Sequence, residues 1–190
     1  MEIKKVLPIV RSADVRQWFV MRDLTRHNAR YPAYKLLAEL KLEIFTPMVH
    51  KLVMRQGKRV PQEVPFMQDL LFVHETRRNL DPIVDRISTL QYRFLRDGYR
   101  TPMTVREDEM QHFIRAVRTS LSPRFYKPQE ITSSMVGKRV RIIGGPFDGH
   151  VGPLQKLQGS RAKRLFIKLE NLLIVSVEVE PEYIQLLEGD

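Results

Sequence analysis

The sequence predicts a chain in two parts: an α+β domain with helices against an antiparallel sheet, then a small all-β domain. Three observations predict it. Up to about residue 118, strand-like runs alternate with helical periodicity. After residue 135 only short strands spaced by turn signals occur. Between them, TSLSPRFYKPQEITSS has two prolines, several Ser and Thr, and no apolar periodicity, as a linker does. The expected boundaries are a tail at 1–15, a first domain at 16–118, a linker at 119–134 and a second domain at 135–188. At 190 residues, each domain has enough chain for a core of its own.

In the first domain, QWFVMRD (17–23) is an opening strand rich in β-formers. ARYPAYKLLAELKL predicts a helix from near Tyr31, with Pro32 in its first turn. Its stripe is Tyr34, Leu37, Leu40 and Lys41, broadened by Leu36. Residues 44–54, IFTPMVHKLVM, read as a strand in which Pro47 needs an edge or a break. RQGKRV reads as a hairpin tip. DLLFVHE (69–75) is apolar on both faces, as in a central strand. NLDPIVDRISTL offers Asp81 as N-cap and Pro82 at the first helical position, with Ile83, Val84, Ile87 and Leu90 on one face. YRFLRDGYRTPMTV predicts a hairpin about Asp97-Gly98. Thr104 and Glu107 form a T-x-x-E capping box before a last helix carrying Met110, Phe113, Ile114 and Val117.

The second domain follows as KRVRII, HVGPLQKL, RLFIKLE, LIVSVEVE and YIQLL, which predict a small closed barrel of the SH3-like kind. In the fourth strand, Ile174, Ser176, Glu178 and Glu180 alternate with Val175, Val177 and Val179. The run VRIIGGPFDGHVGPL places Gly144, Gly145, Gly149 and Gly152 between strands. It lacks the G-K-[ST] ending of a phosphate-binding loop and no helix follows, so it has no helix N-terminus to hold an anion.

The net charge is +10. Residues 16–118 carry 19 Lys and Arg against 12 Asp and Glu, and residues 135–190 carry 8 against 7. A basic first domain beside a nearly neutral second one places the first near a polyanion. None of the five histidines is paired at metal-ligand spacing, and HETRR lacks the second His of H-E-x-x-H. The acids Glu107, Asp108 and Glu109 suit a helix N-terminus. No Ser-His-Asp or Cys-His constellation is present. The expectation is a non-enzyme with no cofactor and no metal. Zero cysteines and no apolar run near the roughly 18 residues of a membrane span predict a cytoplasmic protein without a membrane partner.

GKRVRIIGGPFDGHVG resembles the KOW motif, G-x-x-V-x-[IV]-x-x-G-P-F-x-x-x-x-G. Trp18-Phe19-Val20, Phe45-Thr46-Pro47-Met48 and Leu71-Phe72-Val73 resemble the N-terminal (NGN) domain of the NusG family. The similarity runs from about residue 16 to residue 188. Where the family has F-P-G-Y-V-[LF]-V, this chain reads PFMQDLLFV at 65–73. That variant, with FVHET and MQHFI, is similar to the specialised paralogues that antiterminate capsular polysaccharide operons, the UpxY type.

The resemblance implies a transcription elongation and antitermination factor without an active site. Its first domain would bind the clamp helices of the largest RNA polymerase subunit through an apolar pocket, which by position is Met67, Leu70 and Phe72. Residues 79–86 would face the opposite lobe. Arg22, Arg26, His27, Arg30 and Lys35 would lie near the upstream fork and the non-template DNA strand, with His27 or Tyr31 stacking on a base. The KOW domain would dock a ribosomal protein or a termination factor through Phe147 and His150; lacking a partner, His150 would be an exposed turn residue. Gly145 and Gly149 would shape the first KOW hairpin, and Gly152 would allow close packing. The alternative reading is a ribosome-associated or RNA-binding KOW protein, against which stands the location of the charge outside the KOW domain.

Overall fold

The computed structural model describes residues 12–26, 29–156, 159 and 162–187. The expected tail therefore lies mostly outside the described residues, as do His27 and the last residue of the second domain. The chain is α+β and folds as two compact units, Met1–Thr104 and Val105–Asp190.

In the first unit, β1 (Gln17–Asp23) pairs antiparallel with β5 (Leu71–Glu75) from Gln17↔Glu75 to Met21↔Leu71. The sheet continues to β2 (Glu43–Phe45) beyond β5 and to β6 (Leu90–Tyr92) beyond β1, in the order β2-β5-β1-β6. β5 is thus interior, as its two apolar faces predict. Phe19, Met21, Leu71 and Val73 share one face and pack with Ala33, Leu37, Leu80, Leu90 and Tyr92. Trp18, Val20, Phe72 and His74 share the other, where Trp18 stacks on His74 at 4.8 Å between centroids.

α1 (Ala33–Glu39) covers only two turns and buries Ala33 and Leu37. The expected stripe is therefore shorter: Leu40 is 53% exposed, and Lys41 has left the helix with φ 59°. The expected strand over 44–54 is broken at Thr46-Pro47 into β2 and β3 (Met48–Arg55), because proline cannot continue a ladder. β3 pairs along its length with β4 (Lys58–Pro65), a two-stranded ribbon apart from both main sheets. Gln56 (φ 49°) and Gly57 (φ 76°) form its tip; positive φ at both central residues is the turn that matches the twist of paired strands.

α2 (Arg77–Arg86) begins five residues earlier than Asp81-Pro82 predicts. Thr76 is the N-cap and accepts the Asn79 N–H at 3.3 Å. Asp81 is engaged elsewhere, accepting Arg77 Nη2 at 3.0 Å and the Tyr92 hydroxyl at 2.7 Å, so it ties α2 to β6. Pro82 lies inside the helix. The loop after β6 is closed by a bridge between Phe94 and Pro102. It is longer than a two-residue turn about Asp97-Gly98, since Leu95 N–H donates to Thr101 O at 3.0 Å and Thr101 N–H to Gly98 O at 3.2 Å.

β7 (Thr104–Val105) carries the chain into the second unit. α3 (Glu107–Thr119) is capped by Arg106 with no side-chain bond, so the expected Thr104–Glu107 box is not formed; Thr104 is in strand conformation. The first-turn acids Glu107, Asp108 and Glu109 meet the helix dipole, and Arg106 pairs with Glu109 at 2.8 Å. The stretch expected as linker contributes β8 (Arg124–Tyr126), which pairs with β12 (Leu173–Val179). The six-stranded antiparallel order is β13-β9-β10-β11-β12-β8, with β9 (Val136–Ile142), β10 (Val151–Gln155), β11 (Lys163–Leu169) and β13 (Ile184–Leu186). α3 packs on β11 and β12. Ile174 and Ser176 are buried together with Val175, Val177 and Val179, so both faces of β12 are covered. Gly149 takes φ 79°, and a Cβ at Gly152 would collide with the carbonyl oxygen of Phe166. Inside the sheet the buried Arg164 donates to Ser176 Oγ (2.8 Å) and Ser122 O (2.6 Å), and Ser176 donates onward to Gln155 (2.7 Å).

Burial, then the neighbouring Asp81 carboxylate, pushes the Tyr92 hydroxyl pKa well above its ordinary 10.0. The neutral phenol is therefore favoured by folding, with its contribution complete below that value and lost as pH rises above it. Chemical denaturation from about pH 9 to about pH 11 should show stability falling with pH. Tyr92→Phe should flatten part of that fall, and an unchanged slope would mean the fold does not hold this proton.

Candidate functional site

Sequence reasoning missed the group that organises the basic loop of the first unit. Asp23, at the end of β1, is 3% exposed. Its carboxylate accepts the Thr25 N–H at 2.9 Å and the Ala33 N–H at 2.7 Å. Pro32 gives α1 no side-chain cap, so Asp23 satisfies the first helical N–H from ten residues away. The Gln68 side-chain amide adds a bond to the Thr25 carbonyl at 2.6 Å. A local capping pattern could not reveal this; the one available signal is a lone acid within a run of bases.

The loop so closed displays the expected cations. Arg22, Arg26, Arg30 and Lys35 are all exposed, on the end of β1, the loop and the first turn of α1. His27 lies outside the described residues. Tyr31 is 56% exposed, with the Arg30 guanidinium 5.8 Å from its ring centroid. Tyr34 of α1 sits where burial first, then the charges of Glu63 and Asp23, raise its hydroxyl pKa. The arrangement offers positive charge beside an exposed ring, on a backbone anchored at Thr25 and Ala33.

The expected apolar pocket is placed differently. Leu70 and Phe72 are 1% and 0% exposed, Phe72 lying 6.2 Å from Phe45 between ring centroids; Met67 is half-buried. Only Met67 of the three reaches the surface, because β5 is interior in its sheet and flanked by apolar side chains on both faces.

In the second unit Phe147 and His150 are also interior, at 6% and 7%. His150 is not an exposed turn residue: Nδ1 is 2.9 Å from Phe147 O and Nε2 is 3.3 Å from His112 O of α3. The turn itself is closed by Gly149 N–H to Ile142 O at 2.9 Å and by Gly144 N–H to Asp148 Oδ1 at 2.6 Å. Among the described residues no group of three or more His, Asp or Glu is placed to hold a metal ion, and no helix is long and apolar enough to cross a membrane.

If Asp23 positions the loop, Asp23→Ala should cost about 1–3 kcal/mol in unfolding free energy, since it strands two backbone donors. If the loop cations bind nucleic acid, it should also weaken that binding, although it makes the chain more positive. Tighter binding, as net charge alone dictates, would remove the positioning role.

Comparison with known proteins gives three findings. The family described as "NusG: Transcription termination factor nusG" matches residues 16–114. A solved structure from Thermotoga maritima, "Domain interaction in Thermotoga maritima NusG", is 15% identical, covering 93% of this chain and 99% of its own, with a TM-score of 0.49. No curated protein matches the sequence significantly.

Proposed function

The chain belongs to the NusG family of transcription factors, and on that premise we propose that it is an elongation and antitermination factor acting on RNA polymerase. NusG-family factors generally bind RNA polymerase and are not enzymes. In this reading the first unit docks on the clamp helices of the largest subunit, Met67 being the surface edge of an apolar face that continues inward to Leu70 and Phe72. Contact by those two requires the face to be uncovered, since neither has surface left to offer.

The observation that carries the reading is that the family match covers the segment on which one acid-anchored loop holds Arg22, Arg26, Arg30 and Lys35 outward. These cations, with His27, would neutralise phosphates of the non-template strand near the upstream fork, while Tyr31 stacks on a base. The effect on transcription is a population shift. A factor that binds the elongating state more tightly than the paused one by about 1.4 kcal/mol changes their ratio about tenfold. The second unit, read as a KOW domain, would dock a ribosomal protein or termination factor through the surface around Phe147 and His150 once α3 no longer covers it. The PFMQDLLFV variant, which resembles the specialised paralogues, favours a role in a polysaccharide operon.

The test is co-purification of the full chain with core RNA polymerase in the absence of RNA. Wild type should be retained and Met67→Asp lost, with an unchanged far-ultraviolet circular dichroism spectrum. If wild type is not retained yet binds ribosomes or structured RNA, the polymerase reading fails.

A further inference from the structure

The β3–β4 ribbon belongs to neither main sheet, and the loop-borne cations do not account for it. Both of its faces carry apolar groups left in water: Leu52 is 67% exposed, Met54 65% and Val60 39%. Cross-strand pairing puts Leu52, Met54, Arg59 and Pro61 on one face, and Lys51 and Lys58 on the other with Val53 and Val60. Residues 51–60, the outer part, contain Lys51, Arg55, Lys58 and Arg59 and no acid. The ribbon's single acid, Glu63, lies nearer the root, close enough to act on Tyr34 of α1. Gln68, just after the ribbon, bonds to Thr25 in the basic loop. The ribbon therefore rises from the same edge of the first unit as that loop.

We infer that the β3–β4 ribbon is a duplex-DNA-binding arm, with Leu52, Met54 and Arg59 of one face against base edges and sugars in the groove, and Lys51 and Lys58 of the other face reaching the flanking phosphates. Three features select that partner. Single-sign charge over ten residues complements a polyanion, which on B-DNA presents about one charge per 1.7 Å. A two-stranded ribbon fits the major groove, about 12 Å wide, and eight residues at ~3.3 Å each reach about 26 Å. Single strands are read by stacking on aromatic rings, and residues 48–65 contain no Phe, Tyr or Trp. The inference goes beyond the polymerase reading and does not need it.

The experiment is fluorescence anisotropy of the full chain with a labelled duplex of about two helical turns, titrated over a range of salt, alongside the same strand alone. Lys51→Ala/Lys58→Ala should weaken duplex binding about tenfold and reduce the slope of log affinity against log salt by about 1.8, as loss of two phosphate contacts requires. Lys163→Ala/Lys168→Ala, which removes the same charge from β11, should do much less. Leu52→Ser/Met54→Ser should lower affinity with little change of slope. Equal effects of the two charge pairs would reduce the arm to net charge and overturn the inference. So would equal or tighter binding of the single strand. Loss of polymerase co-purification in the ribbon variant, with DNA binding intact, would make the arm a protein contact instead. Failure of wild type to bind polymerase, with the DNA results as expected, would sink the polymerase reading alone.

Discussion

A strand pair that is apolar on both faces cannot use hydrophobic alternation to fix its own register, because a one-residue slip exchanges one apolar row for another. β1 and β5 are such a pair, and the other strands of their sheet and the helices α1 and α2 pack about them. Polar groups at the two ends of β1 add what the apolar rows cannot. At one end Asp23 holds the amides of Thr25 and Ala33. At the other, Arg16 donates to the His74 carbonyl at 3.2 Å and lies 3.8 Å from Glu75, while His74 meets Glu43 at 2.8 Å. Burial works against the Glu75 charge, but the Thr76 N–H, the Asn79 amide and Arg16 outweigh it and hold the carboxyl below its ordinary range. The same carboxylate accepts the N–H of the residue that caps α2, so strand end and helix start are held at one point.

The strands were legible because their signals are local. QWFVMRD begins and ends as β1 does, and the barrel strands fall where turn residues separate them. The helix starts were misread for the same reason. Asp81-Pro82 is the stronger local cap signal, yet Asp81 lies within α2, bonded to Arg77 of the same helix and to Tyr92 of β6, and Thr76 starts the helix. Ser176 reads as a solvent-facing position by alternation; it is buried, its oxygens accepting from Arg164 and its hydroxyl donating to Gln155.

The site divides along the same line. Arg22, Arg26, Arg30 and Lys35 are exposed because nothing local can bury four cations in one short segment, so sequence finds them easily. Leu70, Phe72, Phe147 and His150, named as contacts, lie inside. Their chemistry is visible in the sequence, but their exposure depends on neighbours far along the chain. The anchor of the basic loop was invisible because its bond spans ten residues and replaces a cap that proline cannot supply.

That ten-residue bond has a thermodynamic consequence. Holding Thr25 and Ala33 on one buried carboxylate surrenders backbone freedom at both of those points at the moment of folding. A ligand arriving at the neighbouring cations is then spared the ordering of the main chain at the two anchors. The expected mark is calorimetric: a small entropy penalty and a modest heat-capacity change on binding, unlike the large ones of a segment that folds on its target.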